Sequence, residues 1–595
     1  MINFDTMDSL NSPPQTIDLK SWLPITKMEL ELRGWDYVDV ILITGDAYVD
    51  HPSFGVAIIG RLIEQKGYRV AILPQPNWQD DLRDFTKLGK PRLFFGITSG
   101  AMDSMVNHYT AAKRLRSTDA YTAGDVSGFR PDYATTVYAQ IVRKLYPDSL
   151  IILGGIEASL RRFTHYDYWK DQLLPTILEH SKADLLVYGM GEQAICDILD
   201  VFQQKQEPKA EDFHAIAQIA YLNNAENPLP DDALTLPSHE ACMKNKRRFA
   251  EAFGRIEIES NKLHPRKITQ RIGSKTLIVN PPSQLISEQE LDAIYDLPFT
   301  RLPHPKYEKR GKIPAFTMIQ HSVTIHRGCF GGCSFCTISA HQGKFIASRS
   351  EKSILEEVKK ITQMPYFKGH ISDLGGPSAN MYRMGGKDKL LCENCRQPAC
   401  IFPKICDNLN YNHFPLIDLY RRVSQIAAVK KVTIGSGIRY DLLLTNNKLF
   451  EKKYGLQEYA KELICKHVSG RLKVAPEHTE NHVLNSMRKP SFDLFIQFKQ
   501  LFDDLNNTYN LRQQLTPYFI SSHPNCSLNN MLALVQKMQE MNLQPEQVQD
   551  FTPTPMTLSS TIFYTGINPY TQQKNYCATL PGDKKRQNRC FFAKN

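Results

Sequence analysis

Three cysteines, Cys329, Cys333 and Cys336, fall within eight residues of the stretch "HSVTIHRGCFGGCSFCTISAHQGK", spaced C-x3-C-x2-C. Thiols this close together read as metal ligands. A structural zinc site closes with four ligands, and His326 or His341 would have to supply the fourth. A disulfide framework needs an even count and an oxidising compartment. A four-iron cluster gripped by three thiolates explains the odd number, because one iron is left open for a ligand. Gly328, Gly331 and Gly332 let the backbone turn tightly and take positive φ. Such a turn also aims amide N–H groups at the sulfurs, which tunes the potential.

Other residues carry chemistry nearby. "DLGGPSANMY" leads from a strand to the pair Gly375 and Gly376, and "IGSGIRYDLL" places Ser436 and Arg439 at the end of a later strand. "CENCRQPACIFPKIC" adds Cys392, Cys395, Cys400 and Cys406, four thiols in fifteen residues. That group reads as a possible second metal site, with zinc and a second iron–sulfur cluster both open because thiolate softness does not separate them. Free, partly buried thiols are the alternative.

The cysteine spacing, with Phe335 before the last cysteine, resembles the radical SAM signature. Longer strings narrow the match. "GGIEASLRRFTHYDYW", "MDSMVNHYTAAKRLRSTDAY", "KVAPEHTE" and "YFISSHP" resemble the YgiQ-type family of radical SAM proteins, with likeness from about Trp35 to Tyr570. The resemblance implies a 4Fe-4S cluster on Cys329, Cys333 and Cys336, and S-adenosylmethionine bound near Gly375, Gly376, Ser436 and Arg439. It implies reductive cleavage to a 5′-deoxyadenosyl radical that acts on an unknown substrate, with an electron donor such as flavodoxin or ferredoxin. The N-terminal region is similar in kind to cobalamin-binding domains, which use D-x-H-x-x-G. Here "DHPSFG" sets Asp50 and His51 side by side, with Gly55 four residues on. That departure argues against cobalt ligation, and cobalamin is not expected. The polar set Asp46, Asp50, His51, Asn107, His108, Glu157, Arg161, Arg162 and His165 is read instead as a candidate substrate-pocket lining.

These residues need a scaffold. Residues 1–222 alternate strand-like runs ("VDVILIT", "YRVAIL", "SLIILGGI") with amphipathic helical stretches. That alternation predicts a doubly wound, Rossmann-like α/β domain with ligand loops at the strand carboxyl ends. Residues 223–314 are polar, basic and proline-spotted and read as a basic connector. Residues 315–575 again alternate strands and helices and predict a (βα) partial barrel. Residues 576–595 read as a basic, disordered tail.

The 595 residues carry 42% hydrophobic and 23% charged side chains, ordinary for a globular chain. No apolar run approaches the roughly 20 residues that span a bilayer, and the first residues do not read as a signal peptide. No membrane association is expected, and the cytoplasm is the expected compartment. The net charge of +10 is concentrated in Lys244–Arg271 and in "KKRQNRCFFAKN". Solvated charged faces account for such runs, while RNA stays open as a partner. The alternatives to a radical enzyme of unknown substrate are therefore an RNA-modifying relative and a non-catalytic, metal-stabilised nucleic-acid-binding scaffold.

Overall fold

The computed structural model describes residues 18–224, 226–445, 447–543 and 548–591. The expectation that the first residues are not a signal peptide falls on residues outside this set, and the last four residues of the tail also lie outside it.

The N-terminal sheet has nine strands: β1 (Val40–Thr44), β2 (Val70–Pro74), β3 (Phe94–Thr98), β4 (Leu150–Leu153), β5 (Leu185–Val187), β6 (Ile219–Asn224), β7 (Leu234–Thr235), β8 (Ile268–Ile272) and β9 (Lys275–Val279). They run in the order β2-β1-β3-β4-β5-β6-β9-β8-β7. The β2-to-β5 half is parallel, and β5-β6, β6-β9 and β9-β8 are antiparallel. The apolar run Val40 to Ile43 of β1 follows from helices covering both faces of a parallel sheet. Val40 and Leu42 enter the core on one face, Ile41 and Ile43 the core on the other, as the two-residue period of a strand requires. On the first face lies α1 (Gly55–Gln65). A Cβ at its Gly60 would stand 2.5 Å from Leu23 Cδ1, so a larger residue would force the buried Leu23 side chain to shift. Residues 223–314, expected as a connector, supply β7, β8 and β9, and their alternating "KTLIV" and "ITQRI" runs extend the sheet.

The C-terminal half is an open arc of short parallel ladders. β10 (Ser322–Thr324) pairs with β12 (Asp373–Gly375), and β11 (His370–Ile371) with β13 (Lys431–Val432). The long strands β14 (Arg471–Glu477) and β15 (Gln514–Ser521) pair and continue to β16 (Val548–Asp550). Helices alternate with these strands. One, α2 (Phe492–Thr508), buries Phe492, Phe495, Phe498 and Phe502, an apolar stripe at helical spacing facing the arc. This is the partial barrel that the alternation predicts, and the whole is an α/β fold.

The tail differs from its expectation. Pro581–Arg589 forms a helix, α3, whose Gln587 is 1% exposed. Gln587 donates to Cys526 O at 2.8 Å and accepts from Ser522 N at 2.8 Å. A buried amide with both ends satisfied docks the helix, a tertiary effect that composition does not report. Among the described residues no helix is long and apolar enough to cross a membrane.

Candidate functional site

The cysteine loop leaves the end of β10 and is tied by Cys329 N donating to Gly343 O at 3.1 Å and Cys336 N donating to Cys333 O at 3.1 Å. Gly328 and Gly332 have φ of 86° and 61°, a region that other residues enter at a cost. A Cβ at Gly332 would lie 2.5 Å from Pro398 O, and one at Gly331 would lie 2.6 Å from Arg439 Nη1. The loop is thus pressed between the second cysteine segment and Arg439.

Arg439 is placed on the sulfur. Its Nη1 lies 3.3 Å from Cys333 Sγ, while Nε and Nη2 grip Asp441 at 2.9 and 2.6 Å. Burial raises the Cys329 thiol and pushes the Cys336 thiol to about 12. Such thiols keep their protons unless a cation takes the proton's place, as metal binding does. Among the described residues no three His, Cys, Asp or Glu side chains converge on one ion. A cubane takes one thiolate per iron, so its cysteines surround it rather than meeting at a point. Three half-buried thiols in a glycine-turned loop with a fixed cation fit such a group.

Gly375, Gly376 and Ser436 form a second cluster. Ser436 Oγ donates to Asp373 Oδ2 at 2.5 Å, and Gly435 N to Asp373 Oδ1 at 2.8 Å. A Cβ at Gly375 would stand 2.6 Å from Ser436 Oγ, and one at Gly376 would stand 2.5 Å from the His326 ring. Burial holds His326 neutral, down to about 3. Burial also raises the Asp373 carboxyl, against the pull of its Ser436 bond. Asp373 was missed from sequence. Its only signal was its place two residues before the glycine pair. Arg439 does not join this group.

The loop borders two cavities. On one side Arg327, Ile338 and Gln342 face a cavity of about 520 Å³, whose wall includes Asp373, Gly375, Gly376 and Ser436. The opposite wall is the carboxyl end of the N-terminal sheet, with Asp46, Gly100, Gly154, Gly155 and Gly191. On the other side Cys333 and Cys336 face a space of about 50 Å³ beside Glu257 and Asn261. The two halves of the chain are joined at the loop by Arg327 Nη1 donating to Glu192 Oε1 at 2.6 Å, both groups buried.

Of the N-terminal polar set, Asp46 alone lines the larger cavity; burial raises its carboxyl to about 6, opposed by Arg130 at 3.0 Å. Asp50 is bound to Arg61 at 2.5 Å, Arg161 to Asp103, and His108 to Asp132 at 2.8 Å. Glu157 accepts from Ser104 N and Thr135 N, both at 2.9 Å. Each of these groups has a partner within the scaffold, while His108 Nε2 and Arg161 Nε are buried without one. His51 is 1% exposed and accepts from Ser53 N at 3.1 Å.

The second cysteine segment packs on the first: Cys400 N donates to Phe330 O at 3.0 Å. Lys344 Nζ reaches Cys395 Sγ at 3.4 Å and Gln397 O at 2.7 Å, and Asn408 Nδ2 reaches Cys392 Sγ at 3.4 Å. Cys406 is exposed.

Solved structures similar to this chain include two of one enzyme and one of another. The radical S-adenosylmethionine methyltransferase TsrM from Kitasatospora setae, with cobalamin and a [4Fe-4S] cluster bound, matches with a TM-score of 0.46 and 13% identity over 88% of this chain and 77% of that one. A second TsrM structure, with tryptophan substrate and a SAM analogue, gives 0.46 and 12% over 87% and 75%. The cobalamin-dependent S-adenosylmethionine radical enzyme OxsB with aqua-cobalamin gives 0.49 and 11% over 86% and 53%. The cobalamin expectation is corrected on this finding: the cofactor is not set aside for this chain. The spacing of "DHPSFG" bears only on a histidine ligand to cobalt. A cavity at strand ends is shaped by backbone and glycines, which that spacing does not report.

Among sequences, a UPF0313 protein of Bacteroides thetaiotaomicron is 56% identical over 587 residues, covering 96% of this chain and 94% of that protein. A UPF0313 protein of Methanocella arvoryzae is 46% identical over 552 residues, covering 93% and 90%. The family model "Radical SAM N-terminal" matches residues 22–322, ending just before the cysteine loop. The chain therefore belongs to the UPF0313 family, the YgiQ-type group of radical SAM proteins that its sequence strings resemble.

Proposed function

We propose that this radical SAM protein holds a 4Fe-4S cluster on Cys329, Cys333 and Cys336 and binds S-adenosylmethionine beside Asp373, Gly375, Gly376 and Ser436. The substrate would sit in the cavity between the two halves. When bound, these groups supply reductive cleavage of the sulfonium to methionine and a 5′-deoxyadenosyl radical, with the electron coming from a donor such as flavodoxin or ferredoxin. The chain's own part is placement and exclusion of water. Arg439 holds a permanent positive charge at the Cys333 sulfur. Asp373 and Ser436 offer acceptors for the amino and hydroxyl groups of the nucleoside, and the bare glycine backbone lets it approach. Asp46 and the glycine turns of the N-terminal sheet face the substrate, and cobalamin is among the ligands this end of the sheet could receive.

The observation that carries the reading is the Arg439 cation fixed 3.3 Å from a half-buried sulfur of a three-cysteine loop. The test is anaerobic reconstitution. Wild type is expected to take up about four irons for this loop and to release 5′-deoxyadenosine from S-adenosylmethionine under a strong reductant. Cys329→Ala, Cys333→Ala and Cys336→Ala should each abolish release, whereas Cys392→Ala should leave it measurable. Undiminished release from a Cys333→Ala protein would refute the assignment.

A further inference from the structure

The two basic runs of the sequence meet in space. Lys246, from the Lys244–Arg271 run, and Lys584, Lys585 and Arg589, from the tail, line one cleft of about 930 Å³ together with Lys113 and Arg114. This cleft shares no lining residue with either cavity at the cysteine loop. Nearby Arg248 and Arg586 have carboxylate partners, Glu251 and Asp583. Among the described residues, none of the six cleft cations has a carboxylate at salt-bridge distance.

The two carboxylates of the cleft keep their charge but are held by neutral donors, away from salt-bridge contact with the cations. Asp171 Oδ1 accepts from Tyr166 OH at 2.6 Å, and Asp550 Oδ1 accepts from Asn588 Nδ2 at 3.0 Å and from Ser521 Oγ. The floor is made by Lys584, a residue 5% exposed. Its Nζ donates to Tyr168 OH at 2.8 Å and lies 4.4 Å and 4.6 Å from the ring centres of Tyr168 and Phe563. An ammonium buried without a contacting anion is costly, and burial draws Lys584 down to about 8, with the neighbouring Asp550 charge only partly opposing it and Lys113 adding to it. A docking anion would relieve that cost. At the rim, Lys113 stands over Tyr168 and Lys246 over Tyr564, each at 4.7 Å.

We infer that this cleft binds a chain of phosphates, with Lys584 on one phosphate at the floor and Lys113, Lys246, Lys585 and Arg589 on its neighbours. The concave shape favours phosphate over the carboxylates of an acidic protein, whose surface would not reach the buried Lys584. Phosphates in a row come from a single-stranded RNA or from a free polyphosphate compound. Binding here is independent of the cluster reading.

The test uses the full-length protein, a labelled single-stranded RNA 12-mer, and tripolyphosphate, with affinities measured across a salt series. Charge reversal of exposed Lys585 and Arg589 (Lys585→Glu with Arg589→Glu) is compared with the same reversal of exposed Lys448 and Lys452, on the helix Lys448–Tyr454. RNA affinity is expected to fall at least about tenfold in the cleft variant. Its log–log salt slope should flatten by about 1.4, two phosphates at ~0.7 each for a single strand. The control reversal should change affinity less than about twofold. If RNA does not bind but tripolyphosphate does, with the same dependence on the cleft, the ligand is a free phosphate compound. Binding of neither, or equal loss in cleft and control variants, overturns the inference. Unchanged thermal unfolding of both variants verifies that the exposed substitutions leave the fold intact.

Discussion

Arg439 shows how much one side chain can set at the cysteine loop. A guanidinium stays charged at any working pH, and Asp441 fixes its fork so that Nη1 points at Cys333 Sγ. A cation at a ligand sulfur stabilises the more negative, reduced state of a cluster. Arg439→Gln is therefore expected to lower the reduction potential. A charge-assisted hydrogen bond lost in one redox state more than the other is worth about 1 kcal/mol, which is ~40 mV for one electron. Arg439→Lys keeps the charge and should recover most of the shift. An EPR-monitored redox titration reads this directly, and equal potentials in wild type and Arg439→Gln would remove the role. Ser436→Ala is expected to act at the other cluster. It breaks one hydrogen bond to Asp373, and the Km for S-adenosylmethionine should rise several-fold while kcat changes less, since only binding is touched.

At the scale of the element, the cysteine loop depends on glycine backbone. Gly332→Ala asks a side chain to enter φ 61° and to stand 2.5 Å from Pro398 O. The clash is with backbone and cannot be relieved by a rotamer. The loop should open at a cost of roughly 2 kcal/mol, and iron retained after reconstitution should fall below about half that of wild type. Gly343→Ala is the contrast, because no atom lies within 4 Å of its Cβ position and only its φ of 89° is strained; it should lose less iron. The tight turn of this element was legible in the sequence because the spacing of the cysteines and the glycines is local. The alternating strands were legible for the same reason. Arg439 at the sulfur was not, since 106 residues separate it from Cys333, and a strand-end arginine looks alike whether it meets a nucleoside or a thiol. The tail helix was hidden too. Its composition is that of a solvated segment, and it is held by the buried Gln587 and Lys584 through contacts that only the fold creates.

At the scale of the whole molecule, the two halves share buried polar groups that tie stability to pH. The halves meet at Arg327 and Glu192, 135 residues apart in the chain. Burial opposes the Arg327 charge, but Glu192 and Tyr295 outweigh it and hold the guanidinium charged. Glu192→Ala would leave a buried, unpaired guanidinium, a loss of about 3–5 kcal/mol, whereas Glu192→Leu with Arg327→Met should recover much of it. Histidines set the acid limit. Burial holds His165, His413, His478 and His523 down to about 3, far below the ~6.5 of an exposed imidazole. Their folded pKa values are depressed, so the folded chain refuses protons that the unfolded chain accepts below pH 6.5. The stability they allow is fully present above pH 6.5 and drains as pH falls toward 3. Four such sites together cost on the order of 5 kcal/mol per pH unit in that window. The thermal unfolding midpoint is expected to be nearly level from pH 8 to 7 and to drop steeply between pH 6 and 4.5. A midpoint that stays level down to pH 5 would mean that these rings are not enclosed as the structure has them. Replacing His478 by Gln should soften the drop by about one proton's share, because a neutral amide at that site has no proton to refuse.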